Sequence, residues 1–396
     1  MNLSRAYKLA VVATHPIQYQ APWFRAMATD PRLDLHVLFG HNATATDQAG
    51  AGFGVEFKWD VPLLEGYSYS FLCNVARKPS LGTFDGIDTP EVAEVLRRGG
   101  YDAVIVNGWG YKSSWQAIWA CWRSKTKVLV RGDSHLRTPR SSLKKAIKAL
   151  PYRAFIPRFD ACLAVGIWSR EYYIHYGANP DRVFVVPHVV NESWLCRESA
   201  RLQPLRLQLR RQWGLGERST VFVFAGKLIP QKRVRDFICA LQRAASSGAA
   251  VEGLVVGDGP LRSECETLVR SEGLPVRFTG FLNQSEIVKA YIAADMLVLL
   301  SDETWGLVVN EAMCCGRPCI VSDQVGCGPD LVQPGKTGAI FPLGDVDALA
   351  RLMVAFVDAE KLLQQMGVRC RQLMYDSVQT AVNDLVAALA ALQTGE

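Results

Sequence analysis

Two glutamates in the stretch SDETWGLVVNEAMCCGRPCIVSD, residues 301–323, are the first candidates for a chemical role. Seven residues separate Glu303 from Glu311, and they include Gly306 and an apolar run. A buried carboxylate is costly unless a partner compensates its charge. Either the two carboxylates bind a ligand, or one of them lies on a solvated helix face.

The same stretch predicts a helix that begins near Gly306 and continues past Glu311. The first amides of an α-helix have no intrahelical acceptor and carry partial positive charge. The amides of Gly306, Leu307 and Val308 therefore form a candidate anion site between the carboxylates of Glu303 and Glu311. This arrangement predicts a phosphate held by amides, with a hydroxyl-bearing ring near each carboxylate.

A second motif, FAGKLIPQKR at residues 224–233, follows a predicted strand that ends at Gly226. Lys227 and Lys232 lie on the loop after this strand. Two fixed cations at the carboxyl end of a strand suit a diphosphate, because they offset its charge. The alternative is a solvated surface loop.

A third motif, VVGDGPLR at residues 255–262, places Gly257 and Gly259 between a strand and a helix. Small residues there allow the backbone to approach a ligand, or they form a simple tight turn. The motif lacks the full G-x-G-x-x-G dinucleotide fingerprint. The base of a nucleotide could lie here, or at Phe281 and Leu282 after the next strand.

Short β-branched runs alternate with amphipathic stretches along the whole chain. This alternation predicts an α/β protein with two doubly wound parallel sheets, in which ligands bind beyond the carboxyl ends of the strands. The predicted strands cover residues 8–14, 34–39, 103–108, 127–132, 161–166, 183–187, 220–226, 253–259, 276–280, 296–301, 318–323 and 338–343.

A length of 396 residues is too great for one typical core, so two domains are expected. We predict an amino-terminal domain at 1–190 and a carboxyl-terminal domain at 191–376, with the hinge within 188–212. Residues 377–396 are predicted to form a final helix that packs back toward the first domain.

Composition is ordinary for a globular protein, with 49% hydrophobic and 21% charged residues. No apolar run approaches the ~20 residues that span a bilayer, and the amino-terminal apolar run is interpreted as a buried strand rather than a signal peptide. These features predict a cytoplasmic protein with reduced cysteines.

Two sequence features could suggest a metal, and both are interpreted otherwise. Cys314, Cys315, Cys319 and Cys327 lack the paired spacing of metal ligands and are expected to be buried thiols. The DVD at 345–347 precedes an apolar helical run and is interpreted as a helix cap. We therefore expect no metal and no cofactor.

Residues 111–158 carry twelve basic residues and one acid, Asp133. Such a block attracts phosphates, anionic lipid or nucleic acid. Nucleic acid is disfavoured, because no recognised motif is present and Glu303 and Glu311 would have no role. Residues 137–158 are predicted to form a basic amphipathic helix in peripheral contact with an anionic membrane, or to serve a soluble anionic acceptor.

Taken together, these motifs resemble the retaining glycosyltransferases of family four, whose signature is roughly E-G-F-G-L-x-x-x-E-A-M-A-x-G-x-P-V-V. GKLIPQKR and VVGDGPLR resemble the family's earlier motifs, VVPHVVNESW resembles its linker, and the likeness covers most of residues 180–360 in order. The resemblance implies the GT-B fold, in which two Rossmann-like domains face each other across a cleft.

Residue by residue, the resemblance implies that Glu303 contacts the donor sugar and that Glu311 holds the ribose. Lys227 and Lys232 would bind the diphosphate with the helix amides. The chain departs from the pattern twice, because Lys227 replaces the usual arginine and Arg233 replaces a glycine. The first departure keeps the charge but loses the bidentate fork.

On the acceptor side the likeness is weaker. His15 and Gln18 follow the first predicted strand, and VLVRGDSHLR places Arg131, Asp133 and His135 after another. His15 and Gln18 either line the cleft or form a turn, and Asp133 has either a specific role or an internal salt bridge.

The activity implied is transfer of a sugar from a UDP- or GDP-sugar to an acceptor hydroxyl, with retention and without a metal. The expected acceptor is a lipid-linked saccharide or polysaccharide precursor at the cytoplasmic face of the membrane. The alternatives are a GT-B-fold sugar-nucleotide epimerase and a non-catalytic nucleotide-sugar binding protein.

Overall fold

The structure is a computed structural model that describes residues 5–44, 55–137 and 142–393. The described chain divides into two compact units. The first contains residues 5–44, 62–137, 142–190 and 378–393, and the second contains residues 55–61 and 191–377.

A parallel sheet of seven strands forms the centre of the first unit, in the order β3-β2-β1-β4-β5-β6-β7. Its central strands are buried on both faces, which explains why they appear in the sequence as continuous apolar runs. The strands are β1 (Tyr7–Ala13), β2 (Leu33–Phe39), β3 (Ser68–Phe71), β4 (Ala103–Asn107), β5 (Lys127–Gly132), β6 (Ala161–Ala164) and β7 (Val183–Val185).

Helices connect these strands in the first unit. Packed side chains from both sheet faces form two apolar clusters, one on each side. The helices are α1 (Ala21–Thr29), α2 (Val92–Gly99), α3 (Lys112–Ser124), α4 (Ser142–Phe155) and α5 (Ile167–His175).

The second unit contains a parallel sheet of six strands, in the order β10-β9-β8-β11-β12-β13. This confirms the prediction of two doubly wound parallel sheets. Its strands are β8 (Thr220–Ala225), β9 (Val251–Val256), β10 (Val276–Gly280), β11 (Met296–Leu299), β12 (Cys319–Ser322) and β13 (Gly338–Phe341).

The helices of the second unit alternate with these strands. They are α6 (Glu192–Leu202), α7 (Arg206–Gln212), α8 (Val234–Ser246), α9 (Arg262–Ser271), α10 (Gln284–Ala293), α11 (Leu307–Cys314), α12 (Gly328–Leu331), α13 (Val346–Ala355) and α14 (Glu360–Met374). Asp345 caps α13, since its Oδ1 accepts a hydrogen bond from the amide of Ala348 at 2.8 Å. The interpretation of DVD as a helix cap is confirmed.

The last helix, α15 (Ser377–Gln393), belongs to the core of the first unit. Leu385 and Leu389 are buried among residues of β1 and β2. The hydroxyl of Tyr7 donates to Gln393 Oε1 at 3.0 Å, which joins the first strand to the end of this helix.

Cys314, Cys315, Cys319 and Cys327 are all buried, as expected. Within the described residues, no three His, Cys, Asp or Glu side chains converge as a metal site would require. No helix in the same part of the chain is both long enough and apolar enough to cross a bilayer.

Candidate functional site

The predicted donor-side residues lie at the carboxyl edge of the second sheet, on loops or, for Leu307, Val308 and Glu311, in helix α11. These loops follow β8, β9, β10 and β11, which are adjacent in the sheet. Because all the strands are parallel, their carboxyl ends meet at one edge. The fold therefore gathers motifs that are far apart in the sequence.

The loops after β8 and β11 are joined by an ion pair between Lys232 and Glu303. The hydroxyl of Ser301 donates to the same Glu303 oxygen, Oε1. Burial lowers the pKa of Lys227, the charge of Lys232 lowers it further, and the charge of Glu303 opposes both effects. The two lysines and Glu303 are thus close enough to interact electrostatically.

Gly306 occupies the position before α11 with φ of 108°. A Cβ atom there would lie 2.9 Å from Leu299 Cδ2, so the position requires glycine for both conformation and space. Gly306, Leu307 and Val308 are half-buried, and the first amides of the helix have no intrahelical acceptor. The predicted helix start is confirmed, and its amides lie one short loop after Glu303.

Glu311 is buried inside α11, where two side chains donate to its carboxylate. The hydroxyl of Tyr291 lies 2.8 Å from Oε2, and Nε2 of Gln284 lies 3.2 Å from Oε1. Burial raises the pKa of Glu311, and these two hydrogen bonds oppose the rise. Each carboxylate oxygen keeps a second lone pair that can accept from a ligand hydroxyl.

Gly257 and Gly259 have φ of 133° and 151°, and both meet the loop after β8. A Cβ atom on Gly257 would lie 1.9 Å from the carbonyl oxygen of Gly226, and one on Gly259 would lie 2.7 Å from that of Leu228. The glycines therefore allow two backbone loops to approach each other. This packing role is additional to the ligand approach that the sequence suggests.

Arg233 adopts a backbone conformation that favours glycine, the residue that the family pattern has at this position. Its φ is 57°, in the left-handed region, and its Nε donates to Asp236 Oδ2 at 2.6 Å. The turn after Lys232 therefore contains a left-handed residue, and an L-residue is strained in that conformation.

Phe281 and Leu282, which follow β10, are half-buried. The ring of Phe281 lies 4.5 Å, centroid to centroid, from the ring of Phe57. Sequence reasoning missed Phe57, because it lies more than 200 positions earlier in the chain.

The first unit carries a separate polar cluster at the end of β5. The guanidinium of Arg131 is buried against the ring of Trp23, 4.4 Å from its centroid. Its Nη2 donates to the carbonyl of Pro187 at 2.9 Å, and its Nη1 lies 3.2 Å from Nδ1 of His188. Arg131 thus holds the segment that follows β7.

His188 also faces Asp133, whose Oδ2 lies 3.9 Å from its Nε2. Arginine can only donate, so Nδ1 of His188 must accept, and the proton of the neutral ring lies on Nε2. Burial lowers the pKa of His188, as does the charge of Arg131, whereas Asp133 raises it. His188 was not predicted as a site residue, although it stands in the linker motif VVPHVVNESW.

The other candidates of the first unit make different contacts. His135 is buried beside Trp168, with ring centroids 5.5 Å apart, and its Nδ1 accepts from the amide of Arg137. His15 Nδ1 lies 3.0 Å from the Thr14 hydroxyl. Among the described residues, Gln18 Oε1 is buried without a hydrogen-bond partner.

The predicted basic helix at 137–158 is partly outside the described residues, because 138–141 and the side chains of 142–146 are not described. In its described part, Ile147 and Leu150 are exposed, with fractional exposures of 67% and 80%. The ammonium of Lys148 lies 4.4 Å from the ring centroid of Tyr152 and 5.1 Å from that of Tyr172.

Two family models match this chain. Residues 206–373 match Glycosyl transferases group 1, and residues 45–188 match a Glycosyl transferase 4-like domain. The first match covers the predicted donor motifs, and the second lies within the amino-terminal half.

Curated proteins match over part of their lengths. N-acetyl-alpha-D-glucosaminyl L-malate synthase of Bacillus anthracis is 31% identical over 43% of this chain and 44% of its own length. A sulfoquinovosyl transferase of Arabidopsis thaliana is 42% identical over 52% of this chain and 43% of its own length. The chain thus spans less than half the length of these relatives. D-inositol 3-phosphate glycosyltransferase of Thermomonospora curvata is 28% identical over 72% of this chain and 70% of its own length.

Solved structures match over nearly the full chain. A glycosyltransferase of Rickettsia africae superposes with a TM-score of 0.72 at 13% identity, covering 99% of this chain and 100% of its own. HepE of Anabaena in complex with UDP superposes with a TM-score of 0.71 at 18% identity, covering 97% of this chain and 100% of its own. These identities are low, so the likeness shows the fold, which is the two-domain Rossmann-like architecture of GT-B proteins.

Proposed function

Because this chain belongs to the glycosyltransferases of group 1 and has the GT-B fold, we propose that it transfers a sugar from a nucleoside-diphosphate sugar to an acceptor hydroxyl. The observation that carries the proposal is the cluster of Lys227, Lys232 and Glu303. It lies on loops that adjoin the helix start at Gly306 and the buried Glu311. This arrangement places cations, free amides and carboxylates at one sheet edge.

In the proposed reaction, negative charge develops on the leaving diphosphate as the glycosidic bond breaks. Lys227, Lys232 and the amides of α11 stabilise that charge, because they are fixed before the reaction begins. Glu303 orients Lys232 and contacts the hydroxyls of the donor sugar. The proposed reaction proceeds with retention and draws its charge stabilisation from the lysines rather than from a metal.

The identity of the donor is proposed as a UDP- or GDP-sugar. HepE of Anabaena, which shares the fold, has a structure with UDP-glucose, and a related mycobacterial protein is a GDP-mannose-dependent mannosyltransferase. Glu311 suits both, because a carboxylate binds the ribose that all nucleotides share.

A thermal-shift panel of UDP-, GDP- and ADP-sugars tests donor binding, since a ligand that binds the folded state raises its melting temperature. Release of free nucleotide is then measured with and without saccharide acceptors. A transferase releases nucleotide when an acceptor is added, whereas an epimerase or a binding protein does not. Absence of any shift across the panel contradicts the proposal.

We further propose that the acceptor is a saccharide, lipid-linked or destined for a polysaccharide, and that α4 contacts an anionic membrane at the cytoplasmic face. The exposed Ile147 and Leu150 support this proposal, together with the basic residues around them. Lys148 instead packs on tyrosine rings. Its substitution would disturb packing as well as membrane charge.

The membrane proposal is therefore tested through the apolar positions. An Ile147→Ser/Leu150→Ser variant should float less with phosphatidylglycerol vesicles than the wild type, and neither should float with phosphatidylcholine alone. Leu362→Ser, at a 41% exposed leucine of the second unit, is the matched control. Equal flotation of the double variant and the control contradicts the contact.

A further inference from the structure

Residues 55–61 lie between β2 and β3 in the sequence, but they pack as part of the second unit. Residues 55, 57 and 59 are half-buried, whereas 56, 58 and 60 are exposed. This alternation is typical of an extended segment with one side against a surface. We call residues 55–61 the crossing segment.

Two anchors hold the crossing segment to the start of α10. Nδ2 of Asn283 donates to the carbonyl of Lys58 at 2.7 Å. The amide of Ser285 lies 3.2 Å from both carboxylate oxygens of Asp60, and its hydroxyl donates to Oδ2. A carboxylate is favoured at this position, because the first turn of a helix carries partial positive charge.

These anchors place the crossing segment next to the group that we assign to the ribose. Gln284 lies between the two anchor residues, and its Nε2 donates to Glu311 at 3.2 Å. The ring of Phe57 lies 4.5 Å from that of Phe281 and 4.8 Å from that of Trp59. Aromatic surface thus lies beside the start of α10.

We propose that Phe57 is a specificity-determining residue for the donor, forming with Phe281 the aromatic surface on which the nucleobase stacks. The proposal rests on the nucleotide site proposed above. A ribose held by Glu311 carries its base directly on C1′. The base must therefore lie near the residues that are hydrogen-bonded to Glu311. Bases stack favourably on aromatic side chains, and the overlap depends on the size of the base.

The test is calorimetric titration of UDP, GDP and inorganic pyrophosphate into the wild type and Phe57→Ala. The affinity for the nucleotides that bind the wild type should fall about tenfold, whereas that for pyrophosphate should not change. Phe57→Tyr, which keeps the ring, should retain nucleotide affinity. Phe84→Ala is the control, since Phe84 is an exposed phenylalanine of the first unit.

The outcomes separate this inference from the proposed function. A wild type that binds neither UDP nor GDP contradicts the nucleotide site and, with it, the role of Phe57. A wild type that binds nucleotide with the same affinity as Phe57→Ala contradicts only the stacking. An equal loss of pyrophosphate affinity would show that Phe57 acts through folding, and this too overturns the inference.

Discussion

Glu311 combines a proposed binding role with an unfavourable environment. Its burial raises its pKa, although Tyr291 and Gln284 donate to it. Since the folded pKa lies above the unfolded value, the folded state binds more protons between the two values, and stability falls as pH rises through that window. A carboxylate retained at such a cost is typical of functional sites.

We therefore expect Glu311→Gln to unfold at a higher temperature than the wild type above this pH window, and to lose nucleotide affinity. The glutamine keeps the shape and carries no charge, so it avoids the cost of ionising a buried carboxyl, which is about 1.4 kcal/mol per unit of pKa shift. Thermal melts at pH 5 and pH 8 measure it, and the difference between the two proteins should grow with pH. A variant less stable than the wild type at pH 8 would contradict this account.

His188 predicts a pH dependence of folding stability opposite to that of Glu311. Arg131 and burial lower its pKa, whereas Asp133 opposes them, and the ring of Tyr19 packs against it at 5.4 Å. Because the folded pKa lies below the usual 6.5, the unfolded state binds more protons in that window. Stability should therefore fall as pH decreases below about 6.5.

His188→Gln removes this titration while an amide can still accept from Arg131. The difference in unfolding free energy between the wild type and the variant should thus change between pH 7.5 and 5.5, by about 1.4 kcal/mol per unit of pKa shift. Urea denaturation at the two pH values measures it. A constant difference would mean that His188 titrates normally in the folded protein.

At the scale of elements, the end of α3 offers a prediction about stability alone. Lys125 follows the helix with φ of 60°, and its amide donates to the carbonyl of Cys121. Glycine adopts this left-handed conformation without strain, so Lys125→Gly should stabilise the protein by about 1 kcal/mol and raise Tm by about 2 °C. Lys125→Ala keeps the strain and is the control. Equal melting temperatures for the two variants would contradict the explanation.

The buried strands were predictable because parallel strands covered on both faces are continuous apolar runs. β5 has the predicted bounds, whereas β3 was missed, since its four residues are exposed and polar or aromatic. The segment TPEVAEVLRRGG at residues 89–100 predicts a helix, here α2, that is capped by its threonine, and this cap is wrong. Thr89 is buried against Ser113, and the helix begins at Val92.

The donor motifs were predictable because each combines a strand end with the residues that follow it. The remaining site residues depend on tertiary contacts. Tyr291 and Gln284 reach Glu311 from another helix, His188 meets Asp133 across two strands, and Phe57 packs on Phe281 from a segment that is distant in the sequence. No local pattern in the sequence encodes these contacts.

At the scale of the whole molecule, the chain contributes one distant segment to each unit. The crossing segment packs within the second unit, and α15 completes the core of the first. Leu385 is fully buried among residues from the start of the chain. The stability of the first unit therefore depends on residues near the carboxyl end.

This dependence predicts that Leu385→Ala destabilises the first unit more than the second. The lost side chain leaves a cavity in the first core, which should lower the stability of that unit by about 2–5 kcal/mol. Nucleotide binding to the second unit should persist, so UDP or GDP should still shift the thermal transition of that unit in calorimetry. Leu362→Ala, at an exposed leucine of α14, is the control and should change neither transition. Equal destabilisation of both transitions by Leu385→Ala would show that the two units unfold as one. A loss of the nucleotide-induced shift would show that the donor site depends on the first core. Either result would contradict the prediction.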